Sequence, residues 1–176
     1  MITICQISKE NSGDIRLVNE PFRMFGRLIP TYDGKTWGHG VDLWEKDETM
    51  CFPDENYDFA AMEKDHVFLG AYEGKKCVGL AVLRQDFFKY MYIYDLKVNG
   101  RFRGQGIGKM LLEKAMETAL SGGYNGLYVH AQDNNLGACL FYLGAGFSIG
   151  GFDNRVYTGT SQEGKADITF YKEAKR

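Results

Sequence analysis

The pattern of apolar and polar positions divides the chain into short runs with strand character and two amphipathic helices. Runs bounded by turn residues predict strands at Ile2 to Ile7, Phe22 to Ile29, Trp37 to Trp44, His66 to Tyr72, Cys77 to Leu83, Tyr90 to Val98, Leu127 to His130, Phe147 to Tyr157 and Asp167 to Tyr171. A turn at Asp33-Gly34 joins the second and third runs as a hairpin. The runs between residues 66 and 98 predict a meander.

Apolar residues spaced three and four apart predict a helix over roughly 105–120, which ends at Gly122-Gly123. A second helix is predicted over 134–143, with Asp133 as its N-cap. A short helix is also expected within 55–64. This order of elements predicts an α+β fold with a mixed sheet.

The length of 176 residues suits one domain, residues 1–176. No apolar stretch approaches the ~18–20 residues of a membrane span, and the N-terminus lacks the features of a secretion signal. We therefore expect a cytoplasmic protein with reduced thiols and no membrane association. We also expect no metal site, because the cysteines and histidines are scattered along the sequence. A net charge of −2 argues against a nucleic-acid partner.

That small net charge conceals an acidic segment. Residues 42–65 contain nine acids and two lysines, a net charge of −7. One interpretation is a solvated surface, the usual fate of a charge run. The other is an electrostatic funnel for a polycationic amine, with Trp37, Trp44 and Tyr57 as aromatic walls and Glu45 among its acids. Both interpretations stay open at this stage.

A glycine-rich turn carries the clearest chemistry. Arg101-Phe102-Arg103-Gly104-Gln105-Gly106-Ile107-Gly108-Lys109 lies where a predicted strand leads into a helix. Glycines there allow close backbone approach, and free helical amides beside three cations suit a polyphosphate. The glycine spacing excludes the dinucleotide-binding fingerprint, and the residues around Gly108-Lys109 exclude a P-loop.

Two motifs identify a resemblance. Arg103-x-x-Gly106-x-Gly108 resembles the pyrophosphate motif of the GNAT superfamily of acetyl-CoA-dependent N-acetyltransferases. Asn135-x-x-Ala138-x-x-Phe141-Tyr142, followed by Gly146-Phe147, resembles the late helix and strand of that superfamily. Within the superfamily, streptothricin acetyltransferases are similar over about residues 19–172, notably at Glu20-Pro21-Phe22, Gly26-Arg27-Leu28-Ile29-Pro30, Lys76-Cys77-Val78-Gly79, Phe102 to Gly108 and Gln132-Asp133-Asn134-Asn135.

The resemblance implies a fold and a coenzyme site. The fold is a GNAT-type mixed, mostly antiparallel sheet of about seven strands flanked by helices and splayed between the fourth and fifth superfamily strands. Acceptor-side elements would cover about 20–65, and an acetyl-CoA-binding core about 66–147. Implied contacts with acetyl-CoA are the backbone of Leu96, Lys97 and Val98, the amides of Arg103, Gly104, Gln105, Gly106, Ile107, Gly108 and Lys109, and Asn135 with Ala138 for the pantetheine arm.

The resemblance also implies catalytic roles. Tyr142 would protonate the departing thiolate, although a core aromatic residue is the alternative. Many GNAT enzymes carry a glutamate base where this chain has Tyr94, which would instead line the substrate pocket. Asp95 is a candidate base, although strand alternation would point it to the opposite face from Tyr94. An acid from 42–58 and a water chain are the other candidates.

The implied activity is acetylation of a primary amine by direct attack through a tetrahedral intermediate. Streptothricin acetyltransferases inactivate an aminoglycoside-like antibiotic by acetylating its β-lysine amine, so a small cationic amine is the expected acceptor. A protein or peptide N-acetyltransferase and a non-catalytic acyl-CoA sensor are the alternatives. A homodimer is also possible by analogy, through the apolar alternation of Asp167 to Tyr171.

Overall fold

The computed structural model of the chain describes residues 1–174 and follows the predicted order of elements. Its strands are β1 (Ile2–Gln6), β2 (Phe22–Tyr32), β3 (Trp37–Met50), β4 (His66–Glu73), β5 (Lys76–Arg84), β6 (Tyr90–Val98), β7 (Gly126–Gln132), β8 (Ser148–Asp153) and β9 (Asp167–Glu173). Its helices are α1 (Phe59–Met62), α2 (Ile107–Ser121) and α3 (Leu136–Gly144), with 3₁₀ segments at Lys9–Arg16 and Gly100–Phe102.

Within residues 1–174, seven strands belong to a mostly antiparallel sheet, and β2 and β3 form a second, two-stranded sheet. This confirms the predicted mixed α+β fold with about seven strands flanked by helices. No helix in this part of the chain combines the length and apolar character that crossing a membrane requires. The chain comprises two compact units, which are described in turn.

The first unit covers residues 1–21, 51–127 and, among the described residues, 174. Its strands lie in the order β1-β4-β5-β6, with antiparallel pairing between neighbours. The apolar face of α2 packs against these strands and meets Gly79 of β5. A Cβ at Gly79 would lie 3.3 Å from a methyl of Leu111 and 3.4 Å from a methyl of Ile107. The absence of a side chain at this position therefore seats the start of α2 on the sheet.

A separate apolar cluster in the same unit is formed by Ile7, Ile15, Tyr57, Phe68, Tyr72, Leu80 and Val82. Tyr57 was a candidate aromatic wall in the acidic segment, yet only 6% of it is exposed. The helix expected within 55–64 is a single turn, α1, whose Asp58 N-cap accepts hydrogen bonds from the amides of Ala60 and Ala61.

The second unit covers residues 22–50 and 128–173. Its β2–β3 hairpin confirms the predicted turn, where the Asp33 carboxylate accepts hydrogen bonds from the amides of Lys35 and Thr36. The hairpin is longer than predicted, because β3 continues through the acidic residues to Met50. The sequence did not predict this extension, because both faces of this part of the hairpin are largely exposed and its residues are mostly polar.

The remainder of the second unit places β9 between β7 and β8, with α3 following β7. The predicted N-cap Asp133 is wrong, because the cap is Asn135, whose side chain accepts from the amide of Ala138. The Asp133 carboxylate is already engaged by the Ala166 amide and by Arg27. The predicted strand to Tyr157 ends at Asp153, whose carboxylate accepts from the amides of residues 155 and 156 and so begins a turn.

Candidate functional site

The glycine-rich turn of the first unit presents a row of backbone N–H groups. Gly104 and Gly106 have φ of 75° and 81°, a region that non-glycine residues rarely adopt. The amides of residues 104–109 have no hydrogen-bond acceptor among residues 1–174, and the Met110 amide donates to the Gly106 carbonyl. Because these amides lie at the N-terminal end of α2, the helix dipole adds to their attraction for an anion.

Arg103 holds this turn in place. Its Nε donates to the Val98 carbonyl at 3.0 Å, and its guanidinium also donates to the Pro21 carbonyl at 2.8 Å. The Arg103 amide donates to the Gly100 carbonyl, so the free amides begin at residue 104. The Gln105 side chain donates to the Arg101 carbonyl at 2.9 Å and further braces the turn.

The side chains around this turn differ in exposure. Ile107 is buried against β5, whereas Arg101 and Lys109 are exposed and leave their charges available at the surface. The turn therefore combines backbone N–H donors with exposed cations, which suits a pyrophosphate group.

Strand β6 leads to this turn and contains a bulge. Val82 of β5 pairs with Asp95, whereas Leu83 pairs with Ile93, so Tyr94 is the extra residue on β6. The prediction that Tyr94 and Asp95 point to opposite faces is wrong, because both contact Tyr57. The bulge interrupts the alternation on which that prediction depended. Beyond it, Leu96, Lys97 and Val98 pair regularly with Ala81, Leu80 and Gly79.

A polar cluster joins Asp95 and Lys97 to the segment before α1. Lys97 Nζ lies 2.9 Å from the Asp95 carboxylate and 2.5 Å from the Glu55 carboxylate. The Tyr57 hydroxyl donates to Asp95 at 3.2 Å, and Asn19 accepts from Lys97 Nζ at 3.2 Å. Only 10% of the Lys97 side chain and 16% of the Asp95 side chain are exposed. The sequence predicted only a backbone contact for Lys97. Its position two residues after Asp95 nevertheless indicates that the two side chains share one face of the strand.

The two carboxylates of this cluster have pKa values shifted in opposite directions. Burial raises the pKa of Asp95 above its usual value, and the opposing attraction of Lys97 is the smaller effect. Burial also raises the pKa of Glu55, but hydrogen bonds from Lys97 and Asn19 outweigh it and leave that pKa below its usual value. Burial lowers the pKa of Lys97, while the two carboxylates more than compensate, so its pKa is raised. Asp95 is therefore the better proton acceptor of the two acids.

Tyr94 lies in an aromatic group in the first unit. Its ring centroid is 5.4 Å from that of His66, 6.1 Å from that of Tyr57 and 6.1 Å from that of Tyr92. The Arg84 guanidinium lies 5.5 Å from the Tyr94 ring centroid. Tyr94 is 43% exposed, so this aromatic surface is accessible to a ligand.

In the second unit, Tyr142 is a buried residue of α3. It is 7% exposed, and its ring centroid lies 5.4 Å from that of Phe147 and 5.9 Å from that of Phe170. This packing agrees with the core interpretation and leaves a role for the hydroxyl as a prediction. Asn135 uses its side-chain oxygen to cap α3 at the Ala138 amide, 3.2 Å away.

The candidate acceptor residues of the second unit do not form one wall. Trp37 packs against Tyr32 at the tip of the hairpin, with ring centroids 4.8 Å apart. Trp44 follows seven residues later on β3, roughly 20 Å along an extended strand. Glu45 is exposed in the irregular stretch of β3 between the partners of Met24 and Gly26.

The acidic segment also separates into two groups. Asp42, Glu45, Glu48 and Glu63 are exposed. The other acids have structural partners: Asp47 with Arg23, Asp54 with the Asn19 amide, Glu55 with Lys97, Asp58 with the α1 amides and Asp65 with His66. Four of these five paired acids are themselves exposed and only Glu55 is partly buried, so most of the negative charge of the segment faces solvent. Asp42, Glu45 and Glu48 of β3 are the acids best suited to attract a cation.

The turn presents free N–H groups at the N-terminal end of a helix that packs on the sheet, an arrangement that suits a phosphorylated ligand. Comparison with known proteins makes this specific, because the model of the Acetyltransferase (GNAT) family matches residues 37–147. The chain therefore belongs to the GNAT family and is an acetyltransferase.

Individual relatives agree with this membership. Streptothricin acetyltransferase A of Bacillus subtilis (strain 168) is 31% identical over 170 residues, which cover 96% of this chain and 98% of the relative. Streptothricin acetyltransferase of Escherichia coli is 32% identical over 95 residues, covering 54% of this chain and 55% of the relative.

Solved structures show the same fold. A candidate streptothricin acetyltransferase from Bacillus anthracis str. Ames, in complex with acetyl coenzyme A, superposes with a TM-score of 0.88 at 24% identity and covers 99% of each chain. Nourseothricin acetyltransferase has a TM-score of 0.81 at 20% identity, also with 99% of each chain covered.

Proposed function

We propose that this acetyltransferase transfers the acetyl group of acetyl-CoA to a primary amine of a cationic small molecule, and that streptothricin is its acceptor. The observation that supports the acceptor best is the 31% identity, across nearly the whole chain, to a streptothricin acetyltransferase. The exposed acids of β3 suit a polycationic amine, although they do not identify one.

The residues present fit acetyl-CoA as co-substrate. The free amides of residues 104–109 would bind its pyrophosphate, and Arg101 and Lys109 would add charge. The backbone of residues 96–98 would bind the pantetheine arm, as would Asn135 with Ala138. A structural neighbour was crystallised in complex with acetyl coenzyme A, which supports this assignment.

The reaction requires a neutral amine. A lysine-like amine with a pKa of about 10.4 is deprotonated only ~0.04% of the time at pH 7. We assign the base role to Asp95, directly or through water, because burial raises its pKa whereas that of Glu55 is lowered. Tyr94, exposed beside the bulge, would contact the acceptor.

The acetyl transfer itself forms a C–N bond and breaks the C–S bond through a tetrahedral intermediate. A β6 amide near residues 96–98 would stabilise the oxyanion. The amine proton passes to the base, and Tyr142 would donate a proton to the departing thiolate. The hydroxyl of Tyr142 suits this role because a phenol can donate a proton.

Release of CoA thiol tests this proposal. We expect release from acetyl-CoA with streptothricin, and little with lysine-containing peptides or without an acceptor. Release with peptides alone would replace the proposed acceptor with a protein, and binding of acetyl-CoA without any release would indicate an acyl-CoA sensor. The cytoplasmic location and the homodimer stay predictions.

A further inference from the structure

Glu20 of the first unit contacts the stretch that leads into the glycine-rich turn, 80 residues away in sequence. One oxygen of its carboxylate accepts a hydrogen bond from the Gly100 amide, and the other accepts from Asn99 Nδ2 at 2.6 Å. Hydrogen bonds to a charged acceptor are about twice as strong as those between neutral groups. The carboxylate therefore attaches the end of β6 and the residues after it to a segment that lies far away in sequence.

This contact requires that residue 100 be a glycine. A Cβ at Gly100 would lie 2.5 Å from Glu20 Oε2, which is closer than nonbonded atoms approach. The φ of Gly100 is not positive, so its backbone conformation does not demand a glycine. The close approach of the Glu20 side chain does.

The backbone at Glu20 and Pro21 holds the other end of the same stretch. The carbonyls of these two residues accept from the Arg103 guanidinium, at 3.4 Å from Glu20 and 2.8 Å from Pro21. A proline also restricts the residue before it to extended conformations, which limits the directions in which Glu20 can point. Residues 99–103 are therefore attached at both ends to Glu20 and Pro21.

The free amides of residues 104–109 follow directly after this attached stretch. Gly104 and Gly106 have positive φ, and glycine loses more conformational freedom than any other residue when it is ordered. A ligand that binds these amides must offset the entropy of ordering them, unless the protein orders them beforehand. Attachment of residues 99–103 reduces that entropic cost.

The negative charge of Glu20 acts in the opposite direction. A carboxylate near a site for a phosphorylated ligand repels that ligand, and this repulsion extends further than a hydrogen bond does. Loss of the charge alone would therefore tighten binding, whereas loss of the attachment would weaken it. The sign of the change in Kd separates the two effects.

We propose that Glu20 is a positioning residue for acetyl-CoA, which acts through Asn99 and Gly100 to order the free amides of the glycine-rich turn before the coenzyme binds. Glu20 itself does not touch the coenzyme. The inference rests on the proposed binding of acetyl-CoA at this turn and is independent of the acceptor.

The test compares three variants with the parent. Glu20→Gln keeps the length of the side chain, but an amide has one acceptor oxygen and cannot accept from both donors in the same way. Gly100→Ala displaces the Glu20 carboxylate without a change in charge. Glu113→Gln is the matched control, because it removes the same charge from an exposed position of α2. Calorimetry gives the Kd for acetyl-CoA, and the midpoint of thermal unfolding is measured without ligand.

We expect the Kd for acetyl-CoA to rise about tenfold in Glu20→Gln and in Gly100→Ala, the effect of losing about one hydrogen bond to a charged group. In Glu113→Gln it should stay equal to that of the parent or fall slightly. Because the Kd is measured well below the unfolding midpoint, a loss of global stability alone would leave it unchanged.

An unchanged or lower Kd in Glu20→Gln or Gly100→Ala overturns the proposal, as does an equal rise in Glu113→Gln. If one of the two test variants does not fold, the other is judged by the same criteria. If neither folds, the contacts are required for folding and the proposal fails. Failure of the parent to bind acetyl-CoA would contradict the proposed function together with this inference, whereas equal binding by parent and variants contradicts only the role of Glu20.

Discussion

The ammonium of Lys97 lies 2.9 Å from the carboxylate of Asp95, two residues before it on the same strand. This pair lies immediately beyond the bulge at Tyr94, and the Glu55 carboxylate also contacts the ammonium. Lys97 therefore restrains the pKa of a buried carboxylate that burial alone would raise further. If Asp95 is the base, this contact influences the pKa that limits kcat/KM at low pH.

Replacing Lys97 should move the acid limb of the pH profile. In Lys97→Met the cation that opposes the raised pKa of Asp95 is lost, so that pKa rises and the limb of kcat/KM shifts to higher pH. Asp95→Asn should lower kcat by about 10²–10⁴-fold and remove the limb. An unshifted limb in Lys97→Met would contradict the assignment of the base.

The same pair should contribute to stability below alkaline pH. The pKa of Lys97 is raised above its ordinary value of 10.5, so the folded chain holds this proton more tightly than the unfolded chain. Its contribution is therefore complete below pH 10.5 and is lost as the pH rises through the folded-state pKa. Urea unfolding should be followed from about pH 8 to about pH 12, on both sides of the ordinary lysine pKa. With rising pH, the free energy of unfolding should fall more steeply for the parent than for Lys97→Met. Lys114→Met is the control, because Lys114 is 44% exposed and should leave the slope unchanged.

Substitution of Gly106 should weaken acetyl-CoA binding. Gly106→Ala places a Cβ at a φ of 81° and strains the turn that carries the free amides. We expect a loss of about 1–2 kcal/mol in the free energy of unfolding and an increase of about tenfold or more in the Kd for acetyl-CoA. Gly34→Ala is matched in strain, since Gly34 has a φ of 95° in the hairpin turn, and its Kd should match that of the parent. Equal Kd values for the two variants would remove the turn from the coenzyme site.

Removal of the Tyr142 hydroxyl should affect chemistry more than binding. Tyr142→Phe keeps the ring that packs on Phe147 and Phe170, so the free energy of unfolding should change by about 1 kcal/mol or less. Loss of the proton donor should reduce kcat about 10²-fold or more, with little change in the KM for acetyl-CoA. Tyr128→Phe is the control, as another buried tyrosine of the second unit. Equal kcat values for parent and Tyr142→Phe would leave Tyr142 as a core residue only.

Neutralising the exposed acids of β3 should slow capture of a cationic acceptor. Glu45→Gln combined with Glu48→Gln should raise the KM for streptothricin several-fold at low salt and spare acetyl-CoA, and added salt should reduce the difference. Glu73→Gln with Glu113→Gln makes the same change in net charge at other exposed sites. A similar KM increase in both double variants would show an effect of net charge alone and contradict a local funnel.

Local signals predicted the elements and the glycine-rich turn between β6 and α2 well. The Asp33-Gly34 turn, the meander from β4 to β6 and the apolar face of α2 depend on neighbouring residues, so sequence spacing revealed them. The N-cap of α3 depends on distant residues instead. Asp133 and Asn135 are both good caps, and only the tertiary contacts of Asp133 with Arg27 and Ala166 decide between them.

The least predictable features involve the bulge and long-range pairing. One extra residue at Tyr94 brings Asp95 and Tyr94 to the same tyrosine, Tyr57, and no local pattern marks that residue. Glu55 looked like one acid among nine in a charged segment, yet it pairs with Lys97, 42 residues away in sequence. Composition could not show which of these nine acids pairs with a buried lysine.

A competition experiment tests the central claim most directly. The protein is given isotopically labelled acetyl-CoA together with streptothricin and lysine-containing peptides at equal concentrations, and mass spectrometry locates the label. The proposed function predicts a labelled acetyl group on a primary amine of streptothricin and unlabelled peptides. Label on the peptides with unmodified streptothricin, or no transfer to either, would contradict it.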